Sequence, residues 1–442
     1  MRLIRSRSRK LIVFPTLMLL TLSTLVTANP PAPTVVTLSG TFQAVNNGLG
    51  DQTEPDLDCN LTAYTSQDGQ GLARIHYSAP PSNTDFIIPG NGLDRQPDVN
   101  GNRIGFTEDT PTGPIVAVYD ATTLFRTDIP GANRSHPAIG GDLVAYEDRS
   151  YFAAPNQSEL GVYDLGAQTD IRLTNDSLFD KNPAISPTGN AVVWEKCQTD
   201  GFGCNVYSAV QTSPGVFTTR ALTTAAGENR SPDTNGQIAV YISDRSGEND
   251  IYFQPVAGGA ETRIAIPGDQ RDLSISGNLI SFESQPQNQT EYDIFVYDLN
   301  TATLYQVTNT PADEFTGRIT YCNGVGRIVY VSAGTDFDVY SFTFQLPSAP
   351  PPPPPPSPAT EINNLIALVR SFNLTPSLET TLVGKLQDAL AAVNAGNTAA
   401  ACTSMSSFIS RVQSQSDKKV DPDEKSQMIT SANQIKTHLG CP

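Results

Sequence analysis

The 442-residue sequence predicts a seven-bladed β-propeller followed by a small helical bundle. The prediction depends on a short phrase that recurs seven times, in which a strand-like run, a turn and a second run end in an aromatic residue every 40 to 48 positions. That period is typical of propeller blades, because a four-stranded sheet buries both faces only by stacking on its neighbours. Six blades are the alternative count. The aromatic residues are Tyr64, Phe106, Tyr146, Trp194, Tyr241, Phe282 and Tyr330.

Residues 1–28 have the features of a secretory signal peptide. Four Arg and one Lys precede an apolar run from Leu11 to Val26, and small residues end at Ala28 as in a cleavage site. An uncleaved membrane anchor is the alternative, which the shortness of the apolar run disfavours. The sequence therefore predicts a secreted or periplasmic protein without a membrane span after cleavage.

The mature chain is strongly acidic. Removal of the five cations in the first 28 residues takes the formal net charge from −17 to −22. Such a charge repels nucleic acid and anionic membranes, so neither is an expected partner. We expect a monomer, without cofactors, whose partner is a protein or an anionic saccharide or peptide.

The propeller domain is assigned to residues 29–346. The seventh copy of the phrase stops at Leu346 and lacks one outer strand, whereas the run TVVTLSGTFQAV precedes the first copy. We expect this N-terminal run to complete the last blade, because ring closure covers an exposed sheet edge.

Six cysteines in an exported chain predict three disulfides. Fifteen pairings are possible, and the repeat positions favour one of them. Cys59 and Cys322 occupy matching places in the first and last copies, which are neighbours in a closed ring. The other predicted pairs are Cys197–Cys204, across a hairpin tip, and Cys402–Cys441, in the C-terminal region.

Parts of the repeats resemble the propeller repeat of TolB-like proteins. The phrase SDRSGENDIYFQPV at 243–256 carries the resemblance, together with its relatives at 159–175 and 291–309. The resemblance covers about residues 55–344 and implies a repeat type without an activity. TolB itself has six blades and an additional N-terminal α/β domain, for which this chain has no room.

The last part of the chain changes in character. A Pro-rich linker is expected at 347–359, since PSAPPPPPPPSP is extended and semi-rigid. Apolar residues at helical spacing then predict a small bundle over 360–442, in which Cys402–Cys441 joins the third helix to the C-terminus. This segment is similar to the FIMAH domain of exported bacterial proteins, and the resemblance implies an attachment module without catalytic residues.

Known catalytic motifs are missing from the sequence. It contains no nucleophile elbow, no zinc-binding H-E-x-x-H, no phosphate-binding loop and no paired C-x-x-C. Acidic residues cluster around Asp51, Glu54, Asp56 and Asp58, but their spacing matches no calcium loop, and a solvated acidic turn is the favoured interpretation. We therefore predict no catalytic and no metal-binding residues.

Basic residues recur just before the inner strand of several copies. If the blade-to-blade connections place them around the mouth of the central channel, they form a basic ring that binds an anionic group. The alternative is local pairing with neighbouring carboxylates such as Asp94, Asp180, Glu228, Asp269 and Asp272. The predicted ligand-binding residues are Arg95, Arg134, His136, Lys181, Arg230 and Arg271.

These features favour an exported, non-catalytic binding scaffold with the propeller as recognition platform and the helical module for attachment. The competing function is a carbohydrate-active enzyme, a lyase or glycoside hydrolase, at the channel mouth. The fold alone does not decide between them.

Overall fold

A computed structural model describes residues 33, 35–68, 71–80, 84–90, 93–152, 157–224, 226–286, 289–347, 356–372, 374–417 and 419–441. The predicted signal peptide and most of the predicted linker lie outside these residues. The chain forms two compact units, one ending at Leu346 and the other beginning at Pro347.

The first unit is a seven-bladed β-propeller, as the sequence predicts. Blades 1 to 4 each contain four consecutive antiparallel strands, from the innermost to the outermost. Two N-terminal strands, β1 (Val35–Thr37) and β2 (Gly40–Asn46), precede the strands of blade 1. The strands of blades 1 to 4 are β3 (Gln52–Asp58), β4 (Leu61–Gln67), β5 (Ala73–Ser78) and β6 (Phe86–Ile87); β7 (Asp94–Asn100), β8 (Arg103–Thr110), β9 (Gly113–Asp120) and β10 (Phe125–Asp128); β11 (Arg134–Gly140), β12 (Leu143–Asp148), β13 (Glu159–Asp164) and β14 (Thr169–Arg172); and β15 (Phe179–Ile185), β16 (Ala191–Cys197), β17 (Asn205–Ser213) and β18 (Val216–Ala221).

Blades 5 and 6 repeat this order, and blade 7 supplies only three strands of its own. The strands are β19 (Asn229–Thr234), β20 (Ile238–Ser243), β21 (Asp250–Pro255) and β22 (Thr262–Ile264); β23 (Asp269–Ser276), β24 (Leu279–Gln285), β25 (Asp293–Asp298) and β26 (Thr303–Gln306); and β27 (Glu314–Cys322), β28 (Val325–Ala333) and β29 (Phe337–Phe344).

The N-terminal run closes the ring, as predicted. Strand β2 pairs antiparallel with β29 and becomes the outermost strand of blade 7. The sequence did not predict the role of β1, which separates from β2 at Leu38 and Ser39 and pairs in parallel with β26. Blade 6 therefore has five strands, and the N-terminal run covers the outer edges of two blades.

The repeated aromatic residues lie between the blades and form much of the core. All seven are at most 5 % exposed, because each stands on the second strand of its blade and packs against the neighbouring sheet. Alternation of apolar and polar residues along the inner strands directs one set of side chains to this core and the other set to the central channel.

The structure contains three disulfides, and they are the pairs expected from the sequence: Cys59–Cys322, Cys197–Cys204 and Cys402–Cys441. The first joins blade 1 to blade 7. Disulfides of this number are characteristic of proteins that fold in an oxidising compartment.

The second unit consists of four helices, α1 (Pro358–Ser371), α2 (Pro376–Asn394), α3 (Thr398–Gln413) and α4 (Pro422–His438). Side chains of Ser357, Asn397 and Asp421 accept hydrogen bonds from backbone N–H groups at the starts of α1, α3 and α4. The inner faces of all four helices share one apolar core, in which Leu382, Leu386 and Phe408 are fully buried.

Among the described residues, no helix combines the length and apolar character needed to cross a membrane.

Candidate ligand-binding site

Every inner strand contains a β-bulge near its beginning. At each bulge the register shifts, and one residue other than glycine adopts a positive φ of 46° to 57°. These seven residues surround one end of the channel, where the inner strands begin, and we call this end the entry face. The bulge residues are Glu54, Gln96, His136, Asn182, Ser231, Asp272 and Thr316.

Buried glutamates connect three bulges to the preceding blade. Glu147, Glu195 and Glu283 each follow the repeated aromatic residue on a second strand and are at most 3 % exposed. Each accepts a hydrogen bond from the backbone N–H of the bulge residue in the next blade, at 2.9, 2.8 and 2.5 Å. A carboxylate buried in this way stabilises the ring when a cation compensates its charge.

Two of the predicted ligand-binding cations compensate these glutamates. Lys181 lies opposite Glu195 across the inner strand pair, with its ammonium 3.5 Å from the carboxylate. Arg271 lies opposite Glu283 in the same register and donates from Nε to Oε2 at 2.5 Å. Both residues therefore pair locally with a carboxylate, as in the alternative interpretation of the sequence. Their partners are Glu195 and Glu283, which are not among the carboxylates expected there.

His136 lines the channel and belongs to a hydrogen-bonded chain. Its Nδ1 lies 3.4 Å from Oε1 of Glu147, and its Nε2 lies 2.5 Å from Nε2 of Gln96. Gln96 in turn accepts a hydrogen bond from Arg95, whose guanidinium also forms two hydrogen bonds with Asp109. Arg95 is thus also paired with a carboxylate.

The placement of Arg134 at the channel mouth is wrong. Its guanidinium is bonded to Asp148 and Asp170 and lies over the ring of Tyr146, between the strands of blade 3. The residue equivalent to Arg95 is Ser135, because Arg134 stands three positions before the proline of its copy, whereas Arg95, Lys181 and Arg230 stand two positions before theirs. The predicted ring is therefore incomplete.

Arg230 differs from the other five residues, because it forms no salt bridge within the described part of the chain. Its cross-strand partner is Ile242, which occupies the place held by Glu195 and Glu283 in blades 4 and 6. The one hydrogen bond found for its guanidinium runs to Oδ1 of Asn249, at 3.2 Å. The fifth repeat therefore keeps the cation but lacks its carboxylate.

Arg230 and Arg271 line the same cavity on the entry face of blades 5 to 7. This cavity, called here the Arg230 cavity, has a volume of about 740 Å³. Its wall contains the apolar side chains of Ile242, Phe315 and Phe337. The structure thus brings together two of the six predicted residues, and it separates them from Arg95 and Lys181, which do not line this cavity.

Carboxylates also line the Arg230 cavity, and the protein uses part of their capacity to accept hydrogen bonds. Asp269 accepts hydrogen bonds from the hydroxyl of Tyr292 and from the backbone N–H of Asn249. Asp313 accepts one from the backbone N–H of Tyr292. Arg271 lies 3.4 Å from the ring centroid of Tyr292, so this stack holds the guanidinium at the cavity wall.

The central channel beside this cavity is acidic, contrary to the expectation of a basic ring. Six carboxylates and one guanidinium line it; they belong to Glu54, Asp56, Asp58, Asp98, Asp233, Asp272 and Arg318. The sequence carried a signal for this lining, since Asp56, Asp98 and Asp233 each follow the proline of their copy directly.

Three of the channel carboxylates fasten one blade to the next. Asp56, Asp98 and Asp233 accept backbone N–H groups of Val99, Ile139 and Ile275 at 2.5, 2.6 and 2.8 Å. Burial raises the pKa of Asp56 to about 7, because it removes water from the charged form, although the positive charge of Arg318 opposes the shift. Burial and the neighbouring charge of Asp56 likewise raise the pKa of Asp98.

The acidic cluster of the first copy is part of this inter-blade network. Asp58 accepts the backbone N–H of Gly101 at 2.6 Å, and Glu54 accepts that of Gln96 at 2.7 Å. The interpretation of this cluster as a solvated turn is therefore wrong. Glu54, Asp56 and Asp58 stand at the junction of blades 1 and 2 because the inner strand is extended and turns every second side chain toward the channel.

No family model matches the chain, and no curated protein matches its sequence. Solved structures match its fold. The chain is similar to acylaminoacyl peptidase from Pyrococcus horikoshii, with a TM-score of 0.52 and 13 % sequence identity over 68 % of this chain and 52 % of that chain. It therefore spans about half the length of that peptidase.

A second similar structure is the β-propeller domain of the Trilobed protease from Pyrococcus furiosus. The TM-score is 0.52 at 11 % identity, over 69 % of this chain and 98 % of that chain. TolB from Acinetobacter baumannii also matches, with a TM-score of 0.39 and 16 % identity over 64 % of this chain and 80 % of that chain. At these identities the similarity to the two Pyrococcus structures defines the class of fold, a β-propeller, and no activity.

Proposed function

We propose that the protein is an exported, non-catalytic binding scaffold in which the entry face of the propeller recognises an anionic group. In this proposal the repeats are of the TolB-like type, and the helical unit is a FIMAH-like attachment module. The observation that carries the proposal is that the guanidinium of Arg230, in a cavity that also contains Arg271, forms no salt bridge with any described residue.

The repeats themselves provide the comparison that supports a binding role. In blades 4 and 6 a buried glutamate pairs with the cation at this position and compensates its charge. In blade 5, Ile242 replaces the glutamate, and Arg230 lines the cavity without a salt bridge to any described residue. Since a guanidinium forms strong paired hydrogen bonds with carboxylates, an anionic ligand group supplies the missing partner.

The substitution Ile242→Glu tests this proposal directly. It gives blade 5 the residue that blades 4 and 6 have, so we expect the new carboxylate to pair with Arg230 and to leave the fold intact. The parent protein and the variant are titrated with a panel of acidic oligosaccharides and acidic peptides by isothermal calorimetry. We expect at least one anionic ligand to bind the parent and to bind Ile242→Glu at least tenfold more weakly.

A matched control is Arg103→Ala, which removes one guanidinium from the opposite end of the channel, where Arg103 pairs with Asp142 at 2.7 Å. This variant is expected to bind like the parent. Binding that Arg103→Ala and Ile242→Glu reduce equally would show a general charge effect and contradict the assigned site.

A carbohydrate-active enzyme is the second candidate, and the presence of several carboxylates in one channel favours it. Asp56, with a pKa near 7, and Asp98 lie in one channel, and glycoside hydrolysis uses a protonated carboxyl group beside an ionised one. Release of reducing ends from acidic polysaccharides, abolished in Asp98→Asn, would support this candidate over the scaffold.

A further inference from the structure

We infer that the ligand of the Arg230 cavity is a uronic sugar, a polyhydroxylated ring that carries one carboxylate. The inference rests on the proposed function and adds the chemical class of the ligand. Three parts of the cavity wall lead to it: hydrogen-bond donors for one carboxylate, acceptors for hydroxyl groups and an exposed aromatic ring.

The donors are the two guanidinium groups. Arg230 has five N–H donors and uses one of them on Asn249. Arg271 uses Nε on Glu283, and its side chain remains 45 % exposed. The remaining N–H groups are suited to a planar carboxylate, which accepts two parallel hydrogen bonds from one guanidinium.

The acceptors are the carboxylates of Asp269 and Asp313. An ionised carboxylate has about four acceptor positions. Asp313 uses one of them for the N–H of Tyr292, and Asp269 uses two for Tyr292 and Asn249. Both therefore retain positions that accept hydroxyl hydrogens of a sugar.

The same carboxylates argue against an acidic peptide as the ligand. A peptide with several Asp or Glu side chains brings more than one negative charge to the cavity. Asp269 and Asp313 line the same cavity and repel the additional charges. A ligand with one carboxylate and several hydroxyls avoids this repulsion.

The apolar part of the wall supplies a surface for the sugar ring. Phe315 and Phe337 pack edge to face, with their centroids 5.4 Å apart, and Phe337 is 37 % exposed. Arg271 covers one face of Tyr292, which leaves Phe337 as the more accessible ring. Binding sites commonly combine such an apolar surface with a few placed polar groups that fix orientation.

The inference is tested with the full chain and four probes: galacturonate, its methyl ester, the neutral sugar galactose and a peptide of four glutamates. Binding is measured by calorimetry and by saturation-transfer NMR. We expect the uronate to bind, the ester and the neutral sugar to bind at least tenfold more weakly, and the glutamate peptide not to bind.

Variants of the cavity residues show which side chains contact the bound sugar. We expect Arg230→Ala and Ile242→Glu to weaken uronate binding at least tenfold, and Arg103→Ala to leave it unchanged. Phe337→Ala is expected to weaken the uronate and the neutral sugar by the same factor, because the ring contacts the sugar face and not the charge. Circular dichroism melting curves identify any variant that fails to fold, and Arg230→Lys, which keeps the charge but loses the planar fork, then replaces Arg230→Ala.

The outcomes separate this inference from the proposed function. If the glutamate peptide binds in an Arg230-dependent manner and the uronate does not, the sugar assignment is overturned and the anion-binding scaffold stands. If no anionic probe binds the parent protein, both are overturned. If the uronate binds equally to the parent and to Ile242→Glu, the cavity is the wrong site.

Discussion

The central channel is lined by all seven inner strands, and the Arg230 cavity lies at the entry face of blades 5 to 7, but their polar groups have different partners. In the channel, carboxylates of one blade accept backbone N–H groups of the next, as Asp56 does from Val99 and Asp233 from Ile275. In the cavity, Arg230 has one hydrogen bond and no salt bridge among the described residues.

The difference shows that the repeat position alone does not decide whether a residue is structural. Lys181, Arg230 and Arg271 stand at the same place in three blades. The residue opposite each of them differs: glutamate in two blades and Ile242 in blade 5. A cation opposite a buried carboxylate contributes to the stability of the fold, whereas Arg230, which has no carboxylate opposite it, keeps more of its N–H donors for a ligand.

Removal of a buried glutamate that connects two blades should give the largest change in the free energy of unfolding. Glu147→Ala takes the acceptor from the N–H of Asn182 and leaves Arg149 and His136 without their carboxylate. We expect the free energy of unfolding to fall by about 3 kcal/mol, since a buried network loses one member. Chemical denaturation measures this change.

Glu147→Gln is the matched variant, because an amide oxygen still accepts the N–H of Asn182. It should be clearly less destabilising than Glu147→Ala. Equal losses in the two variants would show that the charge, and not the hydrogen bond between blades, stabilises this junction.

A smaller change in the free energy of unfolding is expected from the protonation of Asp56. Between about pH 4 and pH 7 the folded chain keeps a proton on Asp56 that the unfolded chain has released, because the pKa of Asp56 is raised from 3.8 to about 7. Stability therefore falls as pH rises through this window. Asp56→Asn removes the contribution and should be neutral at pH 4 and stabilising by about 1 kcal/mol at pH 8, since water in the channel screens the charge.

Melting curves of the parent and Asp56→Asn at pH 4, 6 and 8 test this prediction. A constant difference across the three pH values would mean that Asp56 is ionised throughout and that the channel is better solvated than its lining indicates.

The smallest effect on stability is expected at Arg230. Arg230→Ala removes one hydrogen bond, to Asn249, and no salt bridge with a described residue, so the free energy of unfolding should change by less than about 0.5 kcal/mol. A loss of 2 kcal/mol or more in denaturation experiments would place Arg230 among the structural cations and remove the contrast with Lys181.

The sequence predicts most of the fold, because the signals for it are local and repeated. Seven aromatic positions define the blades, and the missing strand of blade 7 implies closure by the N-terminal run. The pairing of β1 with β26 is not predictable from the sequence, because a run of only three residues contains no pattern that indicates which strand it joins.

The site was predicted only in part. Arg230 and Arg271, two of the six predicted residues, line one cavity, whereas Arg134 stands one residue out of register, which turns its side chain to the other face of the strand. The loss of the carboxylate opposite Arg230 is visible in the sequence only when the second strands are compared, where Ile242 stands in place of Glu195 and Glu283.

Closure by the N-terminal run sets the order in which the ring is assembled. Gly40 of β2 lies opposite Phe344 of β29, so β2, although synthesised early, can pair only after the last blade has been synthesised. Contacts this distant in sequence form slowly. Until then the edges of β26 and β29 stay open to other chains, and a polypeptide that ends before Phe344 keeps an edge on which aggregation begins.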